Sequence, residues 1–378
     1  MDRTGFVERR AGNAGDLPEG ATVSDDLPVV TVVIAARLDD SEVKAVEGAR
    51  KLDYPREKLE IIVARGKQPS VQRNAAVREA KGELIYFLDD DSMADSGNLK
   101  RAVERFADPS VQMLGGPNLC PPDAPRLEKE FATVMANPLA FGPSRARYAP
   151  IGELRESGEK ELILCNLIAR KSAFLDAGGF DEALYPNEEN ALMDELQKKG
   201  GKLMYDPEFI VHRRPRPNTR AFRKMLMNYG RGRAEQVRLH PSSGSLLNFA
   251  PAGFVLFWFS LVVAFATYGW WSWLSEETVP ETIFFRAFGV AIVLYLLGYG
   301  MPVFVSGHRN ARFPQALGIG TSGDNPKVIE VSPVHQWGLI FRCHFLYGMG
   351  FWKGLFTSLK KPKDRPAVEV KLEVVQSV

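Results

Sequence analysis

The sequence predicts an α/β fold with a largely parallel sheet, followed by apolar helices that cross a membrane. Three observations predict it: strands alternate with helices early in the chain, the first strand is rich in β-branched residues, and two later segments carry no charged side chain. The length of 378 residues and the hydrophobic content of 45% suffice for a substantial core. We divide the chain into a flexible lead-in at 1–27, an α/β domain at 28–240 and a C-terminal membrane region at 241–378.

The α/β prediction depends on the order of the first elements. The run VVTVVIAAR at 29–37 is typical of a strand that is buried on both faces of a parallel sheet. LEIIVA at 59–64 and ELIYFL at 83–88 predict two further strands, and helical patterns at 41–51 and 71–82 separate the three. In such βαβαβ sheets, ligands bind beyond the carboxyl ends of the strands. The third strand ends there in three aspartates.

Asp89, Asp90 and Asp91 follow this strand directly, and two interpretations of them are open. Aspartates cap helices and stabilise turns, so the triplet can be purely structural, with Ser92 as an equal capping candidate. Alternatively, Asp89 and Asp91 are alternate residues of an extended segment and can jointly face a divalent cation bound to a nucleotide diphosphate. Mg²⁺ or Mn²⁺ would then neutralise the leaving diphosphate.

A second acidic pair stands about 100 residues later, in YPNEENALMDEL. Glu188 and Glu189 come just before an amphipathic helix that ends in KKGG. Carboxylates at a helix start are favourable for structural reasons alone, because they complement the helix dipole. A functional role for the pair is the open alternative.

Four segments together resemble the inverting family 2 glycosyltransferases of the GT-A fold. They are VVTVVIAAR at the first strand, QRNAAVREAKGELIYFLDDDS at 72–92, IARKSAFLDAGGFDE at 168–182 and NEENALMDELQKKGGKLMYDPE at 187–208. The resemblance implies a Rossmann-like mixed sheet flanked by helices, with catalytic residues inside 28–240. It also implies a hexosyltransferase-type enzyme that uses a nucleotide-sugar donor and a divalent metal, Mg²⁺ or Mn²⁺.

By this resemblance, the aspartates match the DxD motif of the family. Asp89 and Asp91 would be metal ligands, Asp91 the more direct one, while Asp89 and Asp90 would lie close to the donor. The ED motif of the family falls on Glu188 and Glu189, which implies Glu189 as the general base and Glu188 in a supporting role. An in-line displacement needs a base on one side and a cation on the other, and it inverts the anomeric configuration.

The other donor-binding candidates lie at the ends of the first two strands and on the second helix. They are Ala35, Ala36, Arg37, Arg65 and Arg73. Arginine suits a diphosphate because its planar guanidinium donates several hydrogen bonds. The second strand of the family usually leads into an aspartate and a serine-rich loop that hold the nucleotide base, whereas this strand leads into Arg65 and GKQPS. The identity of the base is therefore open.

The segment before the first apolar run is rich in basic residues. It lacks the Q/RxxRW motif of processive polysaccharide synthases, which disfavours a polymerising enzyme. His212 precedes the basic cluster and is either a further ligand of metal or phosphate or a hydrogen-bonded structural histidine. We expect the cluster to contact anionic lipid head groups or a polyprenyl diphosphate acceptor. Its members are Arg213, Arg214, Arg216, Arg220, Arg223, Lys224, Arg231, Arg233 and Arg238.

Two uncharged runs, at 249–274 and 287–306, predict a helical hairpin across a bilayer, with buried core helices as the alternative. A third apolar segment, at 336–359, contains basic residues and predicts a helix that lies along the membrane interface. Basic residues flank the hairpin but are absent from its tip at 275–283. This bias predicts a multi-pass protein of the inner (cytoplasmic) membrane with its catalytic domain in the cytoplasm.

Composition limits the remaining functional classes. The net charge of +2 and the scattered basic residues argue against nucleic acid binding. Three cysteines without CxxC spacing indicate neither a zinc site nor a disulfide framework and are typical of a reducing compartment.

The expected function is transfer of a sugar from a nucleotide-diphosphate donor to a lipid-linked or membrane-associated acceptor in cell-envelope polysaccharide biosynthesis. One alternative is transfer to polyprenyl phosphate. The alternative from another class is a non-catalytic membrane scaffold that keeps a glycosyltransferase-like domain.

Overall fold

The computed structural model describes residues 27–184, 186–241, 249–274, 286, 288–290, 293, 332–359 and 369–378. The predicted lead-in at 1–27 lies outside the described residues except for Leu27, and so do most of the predicted span at 287–306 and the hairpin tip at 275–283.

The described elements follow in chain order. They are β1 (Val30–Arg37), α1 (Lys44–Arg50), β2 (Leu59–Gly66), α2 (Pro69–Glu79), β3 (Leu84–Asp89), β4 (Met93–Ala94), α3 (Asn98–Phe106), β5 (Val111–Gly115), β6 (Asn118–Leu119), α4 (Arg126–Met135), α5 (Pro138–Phe141), β7 (Arg155–Glu156), β8 (Asn166–Arg170), α6 (Lys171–Asp176), α7 (Glu188–Lys198), β9 (Lys202–Tyr205), β10 (Val211–His212), α8 (Thr219–Leu239), α9 (Ala250–Leu274), α10 (Pro333–Phe356) and β11 (Lys371–Gln376).

One mixed sheet of eight strands organises the α/β domain, in the order β11, β2, β1, β3, β8, β5, β9, β7. β1 pairs in parallel with both β2 and β3, which confirms the predicted βαβαβ start. β8 runs antiparallel to β3 and β5, while β9 is parallel to β5. A smaller sheet contains β4, β10 and β6. The predicted mixed α/β sheet flanked by helices is therefore confirmed.

The apolar first strand is explained by helices that cover both faces of the sheet. Successive side chains of a strand point to opposite faces. Val32 and Ile34 accordingly pack in one layer with α1 and α3, whereas Val33 packs in the other with α2, α6 and α7. All three side chains are fully buried. This two-sided core holds the carboxyl ends of β1, β2 and β3 at one edge of the sheet.

The C-terminal strand β11 was not predicted. It pairs antiparallel with the edge strand β2, from Lys371 opposite Arg65 to Gln376 opposite Ile61. Residues 371–376 were expected within the membrane region at 241–378, but they complete the sheet of the α/β domain. These residues alternate between polar and apolar side chains, but such a short pattern does not indicate which strand they pair with. The pairing of an edge strand depends on the strand beside it in the folded sheet.

Helices α8 and α10 approach each other so closely that glycine is required at their contact. A Cβ atom on Gly230 of α8 would overlap the carbonyl oxygen of Tyr347, and one on Gly350 of α10 would overlap that of Met227. Small residues allow this kind of close backbone approach between helices. The predicted helix at 336–359 is thus observed as α10, with one face packed on the α/β domain; its position at a membrane interface stays a prediction.

Helix α9 is long, apolar and mostly exposed. Among the described residues, one helix, Ala250–Trp271, has the length and composition needed to cross a membrane. It contacts α10 at its start, where Trp352 Nε1 donates to the carbonyl of Ala252 (3.0 Å). Farther along, Phe259 and Trp270 are more than 60% exposed. A hairpin of two spans is not confirmed, since the second run lies largely outside the described residues.

Replacing Gly350 by alanine tests the contact between α8 and α10. We expect Gly350→Ala to lower the free energy of unfolding by about 1–3 kcal/mol, the usual cost of overpacking, despite alanine's higher helix propensity. Gly338→Ala on the same helix is the matched control, because a Cβ at Gly338 meets no atom within 4 Å. Thermal unfolding of both variants in detergent gives the comparison, and equal melting temperatures would contradict the close contact.

Candidate active site

An open cleft of about 1450 Å³ lies at the carboxyl edge of the parallel strands. Most of the side chains that the sequence predicts for the site line this cleft, although they come from β1, α2, β3 and the turn after it, α7 and β10. They are Ala35, Ala36, Arg37, Arg73, Asp89, Asp90, Asp91, Glu188, Glu189 and His212.

Arg65 is the predicted donor-binding residue that does not line the cleft. Its Nε donates to Glu373 Oε2 (3.0 Å) on β11. Its Nη1 donates to the backbone carbonyls of Asp40 (2.6 Å) and Arg37 (3.4 Å). The Arg65 guanidinium therefore stabilises the turn after β1 without lining the cleft itself. Residues 37–40 of this turn form part of the cleft wall.

Arg73 joins the two predicted acidic motifs. It lies on α2, and its side chain is only 6% exposed. Nη2 donates to Asp89 Oδ1 (2.7 Å), and Nη1 donates to Glu188 Oε1 (3.2 Å). Residues that are about 100 positions apart in the chain are thereby held on one guanidinium. Arg73 acts in this structure as a link between Asp89 and Glu188.

Arg213 holds the two outer aspartates together and was not predicted for this role. Its Nη1 lies 2.9 Å from Asp89 Oδ2, and its Nε donates to Asp91 Oδ1. Burial tends to raise the pKa of Asp89, but Arg213 and Arg73 outweigh it and keep that pKa below the usual value. The sequence offers one indication of this role, since Arg213 directly follows the short strand that contains His212. Composition alone groups it with the other arginines of the basic cluster.

Gln72 is a second residue that sequence reasoning missed. Its Nε2 donates to the carbonyls of Ala36 (2.8 Å) and Ala64 (2.6 Å), at the ends of β1 and β2. The side chain is buried and lines the inner wall of the cleft. Gln72 therefore links the last part of β1 to the last part of β2 from helix α2.

Asp90 differs from its neighbours because no arginine pairs with it among the described ion pairs. Burial, Asp91 and Asp89 together raise the pKa of Asp90 to about 6. Its backbone carbonyl accepts a hydrogen bond from the amide of Ala45 in α1 (3.0 Å). This hydrogen bond agrees with the structural interpretation of Asp90 at the end of β3. Its contact with the nucleotide-sugar donor stays a prediction.

The predicted ED pair begins α7, and its two members have different surroundings. Glu188 is 2% exposed and pairs with Arg73, whereas Glu189 is partly exposed and faces the cleft. The residue before them, Asn187, has φ 93° and is the one non-glycine residue with positive φ in the part of the chain that the structure describes. This uncommon conformation directs the first turn of α7 toward the cleft.

Burial raises the pKa of Glu188 from 4.5 to about 8; Glu189 adds to the rise and Arg73 opposes it. A carboxyl group whose pKa is raised by folding stabilises the protein below its unfolded-state pKa, and this contribution is lost as the pH rises through the folded value. The relevant window therefore extends from about pH 4.5 to about pH 8.

We expect Glu188→Gln to flatten the pH dependence of stability across this window. The loss of melting temperature between pH 5 and pH 8 should shrink by a few degrees, because 1 kcal/mol corresponds to about 2–4 °C in a protein of 150–250 residues. Glu195→Gln, on the same helix but 44% exposed, is the control and should keep the wild-type profile. Parallel profiles for wild type and Glu188→Gln would contradict the raised pKa.

His212 lies on β10 and lines the cleft beside the aspartates. Burial lowers its pKa, which favours the neutral imidazole that metal ligation requires. Among the described residues, however, no group of three or more His, Cys, Asp or Glu side chains is arranged to hold a metal ion. The ligand role of His212 stays a prediction.

The mixed sheet and the cleft at its carboxyl edge define the class of an α/β domain whose candidate site combines acidic and basic side chains. Residues 19–231 match the family model described as "Glycosyltransferase like family 2". Since this match covers more than half of the chain, the protein belongs to that family and is a glycosyltransferase. A purely scaffolding protein is thereby disfavoured.

Curated relatives agree with this class over part of their length. The chain is 26% identical over 186 residues to the pre-mycofactocin glycosyltransferase of Mycobacterium tuberculosis, strains CDC 1551 / Oshkosh and ATCC 25618 / H37Rv. The match covers 46% of this chain and 36% of each relative. The chain therefore covers little more than a third of the curated relatives that it matches.

Solved structures of low sequence identity are also similar. The mannosyltransferase PcManGT from Pyrobaculum calidifontis, in complex with GDP-Man and Mn²⁺, is 14% identical, with a TM-score of 0.49 and 88% of each chain covered. S. aureus TarS 1-349 in complex with UDP-GlcNAc is 12% identical, with a TM-score of 0.39, covering 60% of this chain and 80% of that chain.

Proposed function

We propose that the protein transfers a sugar, with inversion, from a nucleotide-diphosphate donor to a lipid-linked or membrane-associated acceptor. The observation that carries this proposal is the convergence of Asp89, Asp91 and Glu189 on one cleft, with Arg73 and Glu188 linking the two acidic motifs. Donor activation and acceptor deprotonation need such groups within reach of one substrate.

Glu189 is the better placed of the two glutamates for general base catalysis. It is partly exposed in the cleft, so an acceptor hydroxyl can approach its carboxylate. Glu188 is buried behind it and shares Arg73 with Asp89. We assign Glu188 a positioning role. Its contact with Arg73 connects the first turn of α7, which carries Glu189, to Asp89.

A divalent cation fits the donor side by the chemistry of its side chains. Asp89 and Asp91 present carboxylate oxygens, which Mg²⁺ and Mn²⁺ prefer, and both already approach one cationic group, Arg213. These two aspartates would hold the ion, with His212 as a further candidate. The bound ion would supply charge neutralisation at the diphosphate.

The basic cluster divides into paired and exposed members. Arg214 makes a bidentate ion pair with Glu128 (both 2.8 Å), and the buried Arg233 pairs with Glu159 (2.6 Å). Arg216 is exposed and lines the cleft, where its charge suits a phosphate group. The exposed Arg220, Arg223 and Lys224 follow on α8. These four exposed residues, rather than all nine, are our candidates for contact with anionic lipid or a lipid-linked acceptor.

Membrane attachment is supported by α9, whose apolar side chains would otherwise face water. The pairing of β11 with β2 supports a return of the chain to the α/β domain after this helix. An even number of crossings follows if α9 spans the bilayer. We therefore propose a multi-pass protein of the inner (cytoplasmic) membrane, with the catalytic domain and both flanks of the hairpin in the cytoplasm, acting in cell-envelope polysaccharide assembly.

The catalytic proposal is tested by screening nucleotide sugars for nucleoside diphosphate release that depends on Mg²⁺ or Mn²⁺. With the best donor, Glu189→Gln should lower kcat by about 10²–10⁴-fold, the usual contribution of a general base, and change the donor KM little. Glu195→Gln is the control on the same helix. Full turnover by Glu189→Gln would exclude this residue as the base.

The acceptor class is decided by the product. Transfer to a lipid-linked saccharide is the proposal, and it predicts a labelled product only when an oligosaccharide lipid is supplied with the labelled donor. Labelled product from polyprenyl phosphate alone would instead favour the polyprenyl-phosphate sugar transferase.

The proposed topology predicts opposite labelling of two introduced cysteines. The native Cys120, Cys165 and Cys343 are buried, so they give a low background with an impermeant maleimide. Thr278→Cys in the predicted tip should be labelled in intact spheroplasts, whereas Ser377→Cys after β11 should be labelled only after permeabilisation. Labelling of Ser377→Cys from outside would contradict the topology.

A further inference from the structure

The C-terminal strand β11 lies outside residues 19–231, the range that matches the family model, yet it adds to the sheet of the α/β domain. At its far end, Gln376 Nε2 donates to the carbonyls of Leu59 (2.7 Å) and Arg56 (3.3 Å). Lys81 Nζ donates to the carbonyl of Val378 (3.1 Å). Strand β11 is therefore hydrogen-bonded to β2 from Arg65 to Leu59.

One side chain of β11, Glu373, contacts Arg65 near the end of β2. Glu373 Oε2 accepts a hydrogen bond from Arg65 Nε (3.0 Å). The side chain of Arg65 is 16% exposed, and that of Glu373 is 48% exposed. An ion pair so accessible to water contributes little to global stability. Its geometric effect is larger, because it fixes the plane of the guanidinium.

The opposite edge of that guanidinium holds the turn after β1. Arg65 Nη1 donates to the carbonyls of Asp40 (2.6 Å) and Arg37 (3.4 Å). The amide of Arg37 also donates to Asp40 Oδ2 (3.3 Å), which closes the turn. Residues 37–40 all line the cleft on the side of the predicted donor residues Ala35 and Ala36.

We propose that Glu373 is a positioning residue for donor binding: through Arg65 it holds residues 37–40 in the shape that receives the nucleotide end of the donor. This inference rests on the proposed function, which assigns the cleft to a nucleotide-diphosphate sugar. Glu373 acts at a distance and touches no reacting atom. Its contribution belongs to donor binding and not to the chemical step.

The test compares Glu373→Gln with Gln376→Ala in the full-length protein. Both variants weaken the attachment of β11, but only the first removes the charge that faces Arg65. For Glu373→Gln we expect the donor KM to rise about three- to ten-fold with kcat nearly unchanged, and amide hydrogen exchange of residues 37–40 to accelerate. For Gln376→Ala we expect the wild-type KM and the wild-type exchange of this turn.

A double variant checks that Glu373 acts through Arg65. Arg65→Lys keeps the positive charge but loses the fork that holds both the carboxylate and the carbonyls, so it should raise KM by a similar factor. The combination of Arg65→Lys with Glu373→Gln should be no worse than Arg65→Lys alone, because residues in one hydrogen-bonded network are not additive.

Three results would overturn the inference. Equal KM for Glu373→Gln and wild type would show that the turn does not limit donor binding, even if its exchange accelerates. Equal effects of Glu373→Gln and Gln376→Ala would show a general loss of the strand. Unchanged exchange of residues 37–40 would refute the coupling by itself, and this measurement needs no substrate. Absence of turnover of every nucleotide sugar by the wild-type protein would instead refute the proposed function.

Discussion

The sharing of Arg73 between Asp89 and Glu188 is the interaction on which the rest of the site depends. Both acidic motifs present carboxyl groups to the same cleft. Negative charges that are partly shielded from water repel each other. A guanidinium between them offsets this repulsion and holds β3 and α7 in a fixed relation.

Arg213 extends this arrangement to the donor side. It pairs with Asp89 and Asp91, so Asp89 lies between two guanidinium groups and remains ionised despite its burial. Ionised aspartates are what both a metal ion and a cationic side chain require. The two arginines thus keep Asp89 ionised, while Glu189 stays partly exposed in the cleft, as its proposed role as the general base requires.

The C-terminal half of the chain is physically continuous with the catalytic half. Tyr229 of α8 lines the cleft, and the next residue, Gly230, lies against the backbone of α10. The apolar helix α9 packs on α10 in turn. At one edge of the sheet, β11 contacts the turn after β1 through Glu373 and Arg65. The helices after the catalytic domain and the last strand therefore both contact segments that line the cleft.

The sequence by itself determined the βαβαβ start, the position of the aspartates after β3 and the glutamate pair at the beginning of α7. These features depend on local periodicity and on short motifs, which a single strand or helix already encodes. The apolar run that becomes α9 was evident for the same reason. Its length and lack of charge are properties of one segment.

Only the tertiary structure decided which residues meet across the cleft. Arg73 and Arg213 were recognisable as cations, but a guanidinium chooses its carboxylate by position in space, and spacing along the chain does not encode that choice. The same holds for Arg65, which turns away from the cleft to Glu373, and for β11, whose partner strand lies some 300 residues earlier. Long-range pairings depend on the packing of the whole sheet, so no local pattern could have assigned them.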